Sequence, residues 1–242
     1  MASFLNRIAL VGVGAVAGAF LYMVVAETPA PTDGQANDPA VDQARIQSAV
    51  ADFASQQQAE RDAAGNVLVA NRANDLLRDP ETPIFGNPEG DVSLVEFFDY
   101  NCVFCKAADP RVKQLVQEDD GVRRVLKEFP ILTLESVIAS KAALASKNQG
   151  MYETYHNTLM GFRGQLTEER IFEIAEEIGL DVTRIREDME APEITEQIIE
   201  NFNLARALRV FSTPTYIVND QMINQPSAEI DFPAVIADAR NR

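Results

Sequence analysis

The segment "FFDYNCVFCKAADP", Phe97 to Pro110, contains the only two cysteines of the 242-residue chain, Cys102 and Cys105. The run that leads into it, "VSLVEFF" (Val92–Phe98), is mostly apolar and of strand length, as is typical of a strand covered on both faces. A pattern of apolar residues at helical spacing begins near Val103. The two cysteines are therefore predicted to lie where a buried strand passes into a helix.

Three structural explanations compete for this cysteine pair. A disulfide across two residues closes a very small loop and removes little entropy from the unfolded chain. A zinc site usually needs four nitrogen or sulfur ligands, and the only histidine, His156, is distant in "MYETYHNTLM", where we expect it to be a packing or capping residue. Two unrelated buried thiols would make the spacing a coincidence. A redox-active dithiol/disulfide couple accounts better for a Cys-x-x-Cys pair at the start of a helix.

The position of each cysteine predicts its role. Cys102 lies at the helix N-terminus, where unpaired N–H groups and the helix dipole stabilise a thiolate. Such thiols have pKa values of about 3.5–7.5, against about 8.5 for a free thiol. Val103 and Phe104 add no charge, so the pKa is expected below the free-thiol value but not at the acidic extreme. Cys105, one turn further on, would resolve a mixed disulfide formed on Cys102.

Two further features are expected to support the cysteines. Glu96 lies within the apolar strand and needs a partner. Lys127, in the next predicted strand "VRRVLKEF" (Val122–Phe129), is the expected one, either as a structural ion pair or as a proton carrier beneath the thiols. Thr213-Pro214 opens a later strand, and a cis bond there would place the Thr213 backbone beside the thiols, ready to pair with an extended peptide.

The order of elements predicts an α/β fold. The first unit is β-α-β, with a right-handed crossover. Residues Glu135–Arg209 then read as consecutive helices without a strand. Two strands follow in "TPTYIVND" (Thr213–Asp220) and "QMINQ" (Gln221–Gln225), close enough for a hairpin, and a helix over Phe232–Arg240 ends the chain. The sum is β-α-β, a helical insertion, then β-β-α.

Residues 1–26 have a different composition from the rest. Ile8–Ala26 is uncharged and mostly apolar, and Arg7 precedes it. Its length suits either a signal peptide, with Val24 and Ala26 at the cleavage site, or a retained membrane anchor. In both cases the acidic remainder of the chain is expected to be exported.

Residues 27–40, rich in Pro, Asp and Gly, are predicted to be a flexible linker, and residues 41–91 a helical arm followed by a second linker. The arm carries an apolar stripe at helical spacing: Ile46, Val50 and Phe53. Gly65 is expected to interrupt the helix, and Asp79–Asp91 is dense in turn-forming dipeptides. A single amphipathic helix must bury its stripe against its own domain or another subunit.

Charge limits the possible partners. The formal net charge is −16, from 37 acidic and 21 basic residues. Nucleic-acid binding is excluded, because contact with phosphates requires a basic face. No metal or organic cofactor is required, since two sulfur atoms can carry the redox chemistry themselves.

Three stretches, "SLVEFFDYNCVFCK", "VLKEFPIL" and "FSTPTYIVN", occur in an order that resembles the DsbA-like branch of the thioredoxin superfamily. Within that branch, "GNPEGDVSLVEFFDYNC" and the N-terminal extension are most similar to Com1/ScsC-type thiol-disulfide interchange proteins. The resemblance implies a thioredoxin fold over residues 92–242, with a helical insertion at about 135–209. It also implies a periplasmic enzyme that acts on cysteines of exported proteins and is reset by a membrane redox partner.

The resemblance assigns roles to five residues: the nucleophile Cys102, the resolving Cys105, the cis-proline Pro214, and the buried charged pair Glu96 and Lys127. It also implies self-association through the N-terminal region. One departure bears on activity, because the strongest oxidases of the branch carry a histidine between the cysteines and this chain has Val103-Phe104. Strong oxidase activity is therefore in doubt.

The main hypothesis is an enzyme that forms or isomerises disulfides. The alternatives are a dithiol reductase and a thioredoxin-fold binding protein or chaperone with an idle cysteine pair.

Overall fold

The computed structural model describes residues 39–242, and its centre is a five-stranded sheet with the strand order β1-β3-β2-β4-β5. The strands are β1 (Ile84–Gly86), β2 (Val92–Phe98), β3 (Val122–Glu128), β4 (Thr215–Val218) and β5 (Gln221–Ile223). β2 and β3 are parallel, whereas the other neighbouring pairs are antiparallel. The predicted α/β fold is confirmed.

Nine helices within residues 39–242 precede the strands, connect them and follow them, and five of these fill the connection between β3 and β4. They are α1 (Pro39–Ala70), α2 (Ala73–Leu77), α3 (Val103–Glu118), α4 (Leu134–Ala145), α5 (Tyr152–Gly161), α6 (Glu168–Glu177), α7 (Val182–Asp188), α8 (Pro192–Ala207) and α9 (Phe232–Arg240), with a 3₁₀ turn over Ser146–Gln149. α4 to α8 form the predicted insertion, and residues 135–209 contain no strand. The predicted caps of two insertion helices are present, since Thr167 and Asp181 accept hydrogen bonds at the starts of α6 and α7.

The central strand β2 matches its predicted bounds, and all seven of its residues are buried. Apolar side chains cover both of its faces, which explains the uninterrupted apolar run. One face packs with α3 and α9 in a cluster that includes Leu94, Val112 and Ile236. The other face packs with α2 and the end of α8 in a cluster that includes Val95, Leu76 and Leu204. Burying each such side chain stabilises the fold by about 1.5–3 kcal/mol.

The predicted break at Gly65 is wrong, because α1 continues through it to Ala70. The helix passes close to β5 at this point. A Cβ atom on Gly65 would lie 3.5 Å from Cβ of Met222, and the Met222 N–H donates to Oδ1 of Asn66 at 3.1 Å. Packing of this kind outweighs the propensity cost of one glycine, about 1 kcal/mol.

A strand was not predicted between residues 79 and 91, where turn-forming dipeptides dominate the sequence. β1 lies there and pairs antiparallel with β3, with Phe85 opposite Arg124. Its three residues are too few to show a periodic pattern. The predicted β-α-β and β-β-α units supply four strands. β1 is a fifth strand and lies at the edge of the sheet, next to β3.

The predictions for residues 1–26, a signal peptide or anchor, lie outside the described residues. So does the predicted linker, except for Pro39 and Ala40, which belong to α1. Among the helices within residues 39–242, none combines the length and the apolar character of a membrane span.

Candidate redox site

Cys102 is the N-cap of α3, directly after the short loop that follows β2. Its Sγ accepts a hydrogen bond from the Cys105 N–H, with Sγ and N 3.3 Å apart. Cys105 lies one turn into the helix and is fully buried, whereas Cys102 is 4 % exposed. Cys102 is therefore the more accessible of the two thiols.

The loop before β4 forms the opposite wall of the site. The Thr213-Pro214 peptide bond is cis, as the sequence predicts. In its thiol form Cys102 donates through Sγ to the Thr213 carbonyl oxygen, 3.3 Å away. β4 then pairs antiparallel with β2, with Thr215 opposite Phe97. This pairing fixes the cis-proline loop beside the helix N-terminus that carries the thiols.

The two thiols differ in acidity. Hydrogen bonds from the side chains of Cys105 and Thr213, and from the N–H groups of Cys105 and Phe104, outweigh burial and lower the pKa of Cys102 from 9.0 to about 6. Burial raises the pKa of Cys105 well above its usual value, and the neighbouring Cys102 and Glu96 raise it further. At neutral pH the pair therefore holds one thiolate, on Cys102, and one protonated thiol, on Cys105.

Alkylation of the reduced protein by iodoacetamide is expected to follow the Cys102 thiolate. Because the pKa is lowered to about 6, the rate should be near its maximum at pH 7 and fall as the pH drops through 6, by about tenfold for each further pH unit. Rates measured by mass spectrometry test this. The Cys102→Ser variant, which keeps only buried Cys105, should be unreactive in the same range. A midpoint near 9 in the parent protein would contradict an activated nucleophile.

The predicted pairing of Glu96 with Lys127 is wrong. In the parallel register of β2 and β3, Glu96 lies opposite Leu126 and Phe97 lies opposite Lys127, so the two charged side chains point to opposite faces of the sheet. Lys127 instead donates to the Thr82 hydroxyl at 2.6 Å and to Asp79 at 3.2 Å.

The partner of Glu96 is Arg124, which the sequence analysis did not select. The Nε and an Nη of Arg124 donate to one Glu96 carboxylate oxygen at 3.0 and 2.6 Å. The same guanidinium binds Asp109 of α3 at 3.0 Å, and the Tyr216 hydroxyl donates to the other Glu96 oxygen at 3.1 Å. Burial disfavours the Arg124 charge, but these two carboxylates outweigh it and raise its pKa. Aligning the starts of the two strands would have put Arg124 on the Glu96 face.

Asp99, also missed, fixes the loop that precedes Cys102. One carboxylate oxygen accepts from the Asn101 N–H and the Ser136 hydroxyl, both at 2.7 Å. The other accepts from the N–H groups of Ile131 and Leu132 at 2.9 and 3.0 Å. Asp99 is fully buried. It therefore ties the loop between β2 and α3 to the first residues of the helical insertion.

A second buried carboxylate, Glu128, lies at the end of β3. Burial raises its pKa to about 8, against hydrogen bonds from three hydroxyl groups. The donors are those of Ser140, Tyr152 and Tyr100, at 2.7, 2.8 and 3.0 Å. His156 completes the cluster through Nδ1, 3.0 Å from the Tyr100 hydroxyl. Four aromatic rings surround His156 at centroid distances of 5.0–5.9 Å, which confirms that it is a packing residue.

Apolar side chains are exposed on the helix and on the loops that carry or adjoin the site. They are Val103, Phe104, Leu132, Leu134 and Phe211, each 50–75 % exposed. Where exposed apolar side chains cluster, they mark a contact surface for a partner chain. Within residues 39–242, no group of three or more His, Cys, Asp or Glu side chains is arranged to hold a metal ion.

A family model for the DSBA-like thioredoxin domain matches residues 93–230. The chain belongs to the DSBA-like thioredoxin family. The match includes the Cys-x-x-Cys helix, the whole insertion and the cis-proline strand, so the resemblance inferred from the sequence is confirmed. Members of this family are thiol-disulfide oxidoreductases.

Solved structures of this family share the fold. A thioredoxin-like oxidoreductase from Silicibacter pomeroyi DSS-3 is 42 % identical, with a TM-score of 0.66 over 70 % of this chain and 98 % of that one. The thiol-disulfide exchange protein alpha-DsbA2 from Wolbachia pipientis is 26 % identical, with a TM-score of 0.68 over 75 % of this chain and 97 % of that one.

One curated relative of this DSBA-like chain is much longer. It is the Na(+)/H(+) antiporter NhaA 1 of Salinispora arenicola, 28 % identical over 229 residues, which cover 87 % of this chain. The chain spans only 34 % of that protein's length.

Proposed function

We propose that this chain is an exported thiol-disulfide oxidoreductase that forms or isomerises disulfide bonds in periplasmic proteins. The observation that carries the proposal is the placement of Cys102. Its sulfur lies at a helix N-terminus, accepts a backbone N–H, and contacts the backbone of the cis-proline loop at 3.3 Å. These contacts support Cys102 as nucleophile, Cys105 as resolving thiol, and Thr213-Pro214 as the segment that aligns the substrate.

The reaction proceeds by two exchange steps. In the oxidised enzyme a substrate thiolate attacks Sγ of Cys102, and the bond between Cys102 and Cys105 breaks. Cys105 leaves with the electron pair and takes up a proton, in keeping with its raised pKa. A second substrate thiolate then attacks the substrate sulfur of the mixed disulfide, and Cys102 leaves as the thiolate. Two electrons pass from the substrate to the enzyme, and the substrate gains one disulfide.

The acidity of Cys102 supports an oxidising role. A thiol with a pKa of about 6 is a good leaving group at neutral pH, and its thiolate stabilises the reduced enzyme. The same thiolate, present in the reduced enzyme, can attack an incorrect disulfide and so begin isomerisation. We propose that a membrane redox partner resets the cysteine pair after each turnover.

The experiment that tests the proposal uses ribonuclease A as substrate, once fully reduced and once with scrambled disulfides. Recovery of ribonuclease activity from the reduced form by the oxidised enzyme indicates an oxidase, and recovery from the scrambled form by the reduced enzyme indicates an isomerase. Reduction of insulin without either recovery would favour a dithiol reductase. No effect of the cysteines in any assay would favour a binding protein or chaperone.

Export is proposed from the apolar segment Ile8–Ala26. Either fate of this segment, removal or retention, leaves the residues that follow on the exported side when Arg7 stays in the cytoplasm. An oxidising compartment is required for a disulfide-forming enzyme to act on newly exported chains. The proposed substrates are accordingly exported proteins that contain cysteines.

Self-association through α1 is proposed from its exposed apolar side chains. Ile46, Val50 and Phe53 form an apolar stripe along one face of the helix. Their side chains are nevertheless 61–64 % exposed. An amphipathic helix is stabilised mainly when this stripe is covered. A second copy of the chain would cover it, and two catalytic sites held together in this way would suit isomerisation of a bound chain.

Light scattering on the protein from Glu27 onward is expected to give a mass above that of a monomer at micromolar concentration. Val50→Ser combined with Phe53→Ser should shift the protein to monomer, because both side chains are removed from the shared stripe. Ala59→Ser is the matched control, since Ala59 is exposed on the same helix and, at 100° per residue, lies on the face opposite the stripe. A monomeric parent protein would exclude this role of the arm.

A further inference from the structure

A cavity of about 500 Å³ opens beside Cys102, between the first turn of α3 and two loops of the insertion. Apolar side chains line part of it, namely Val103, Leu132 and Phe162. Two cations, Lys106 and Arg163, line another part. We call this the Lys106 cavity. Because Val103 directly follows Cys102 in the chain, a polypeptide bound to Cys102 must pass close to this cavity.

Lys106 is held in place at the base of the cavity. Although it is a lysine, it is only 6 % exposed. Its Nζ donates to the carbonyl oxygens of Phe162 and Gly164 at 3.0 and 2.9 Å. An ammonium group has three N–H donors, so two are used by these carbonyls and one is left for a ligand. The two bonds also fix the loop that carries Arg163.

Arg163 brings a second positive charge to the same place. Its side chain is exposed and, within the part of the chain that the structure describes, forms no ion pair. Its charge is close enough to act on Lys106, since burial and then Arg163 lower the pKa of Lys106, while Asp99 and Cys102 act in the opposite direction. An anion placed between the two cations would relieve this repulsion.

The Lys106 cavity differs from other cavities on the same molecule in having no carboxylate in its lining. The cavity around Arg72, Arg78 and Lys127 also contains Asp75, Asp79 and Glu200, so its cations are already compensated. Two further cavities are lined by several carboxylates each. In a chain with a net charge of −16, two cations that line a cavity without any carboxylate beside the nucleophile indicate selectivity for negative charge.

We propose that the Lys106 cavity is a specificity subsite for an acidic side chain of the substrate polypeptide. The carboxylate would lie between Lys106 and Arg163, and an adjoining apolar residue would contact Val103, Leu132 and Phe162. The preferred substrate is thus a cysteine-containing segment with an acidic and an apolar residue near the reactive cysteine. This inference rests on the proposed function, because it specifies the substrate of the same cysteine pair.

The test compares the rates at which the oxidised protein oxidises matched peptide pairs. Each peptide contains two cysteines, which the enzyme can join in a disulfide, and one Leu-Glu unit. The Leu-Glu unit is moved stepwise along the peptide, on either side of the reactive cysteine. Its match has Leu-Gln in the same place. In the favoured register the glutamate peptide should react about two- to five-fold faster, the range expected for a partly exposed ion pair. Added salt should reduce the ratio.

Arg163→Gln should lower this ratio toward one, because only Lys106 then remains to bind the carboxylate. Arg242→Gln removes the same charge at the last residue, where Arg242 pairs with Asp238, and should keep the parent ratio. Equal rates for the two peptides in every register, or a ratio unchanged by Arg163→Gln, would overturn the subsite.

Binding separates this proposal from the proposed function. Peptides with serine in place of cysteine are titrated calorimetrically into the same proteins. Tighter binding of the glutamate peptide that is lost in Arg163→Gln, without oxidation of any cysteine peptide, would support the subsite and contradict the oxidoreductase. Oxidation of both peptides with equal binding would support the oxidoreductase and overturn the subsite.

Discussion

Cys102→Ser is expected to abolish disulfide exchange, reducing the oxidation of ribonuclease to its uncatalysed rate. The variant removes the sulfur that lies at the helix N-terminus and contacts the cis-proline loop. The Cys105 thiol is fully buried and has a raised pKa, so it cannot replace the lost nucleophile. Cys105→Ser should instead retain attack by Cys102 and lose the resolving step, so that mixed disulfides with substrate accumulate.

Non-reducing gel electrophoresis followed by peptide mapping measures both outcomes. After incubation with a disulfide-containing substrate, covalent adducts should appear on Cys102 in the Cys105→Ser protein and be absent from the Cys102→Ser protein. Thermal unfolding of both variants serves as the control for folding. Adducts on Cys105 in the Cys102→Ser protein would reverse the assigned roles.

Arg124→Met is expected to lower the free energy of unfolding by about 3–5 kcal/mol, because it leaves buried carboxylates without their shared partner. Glu96 and Arg124 have side-chain exposures of 0 and 1 %. Asp109 keeps Lys113 at 2.6 Å, so the unpaired charge would fall mainly on Glu96. Urea unfolding followed by circular dichroism gives the measurement.

Two further variants test whether the loss of stability comes from the ion pair between Glu96 and Arg124. Arg123→Met changes the neighbouring arginine of β3, which binds the Ser93 hydroxyl and the Leu77 carbonyl on the other side of the strand, and should cost clearly less. Adding Glu96→Met to Arg124→Met should recover much of the loss, since replacing both members of a buried ion pair by apolar side chains is often neutral. Equal losses for Arg123→Met and Arg124→Met would contradict the network.

The features that could be predicted from the sequence were those set by neighbouring residues. The apolar run of β2, the cysteines at the start of α3 and the Thr213-Pro214 bond each have a local pattern. The partner of Glu96 does not, because it depends on the register between two strands, in which a shift of one residue moves Lys127 to the other face. The hydrogen bonds of Asp99 and Glu128 were missed for a related reason, since most of their donors lie 12–37 residues away in the chain.

The attachment of Lys127 limits where this catalytic unit can be joined to another protein. Its ammonium group binds Asp79, Thr82 and the Asp75 carbonyl oxygen, all of them before the Cys-x-x-Cys region. Val69 and Leu76 are buried in the core just upstream. A gene fusion with its junction at Val92 would leave a buried ammonium group without acceptors and open the core. A fusion that joins the enzyme to another protein should therefore have its junction before Val69. The end of α1 then stays in the same polypeptide as the catalytic site.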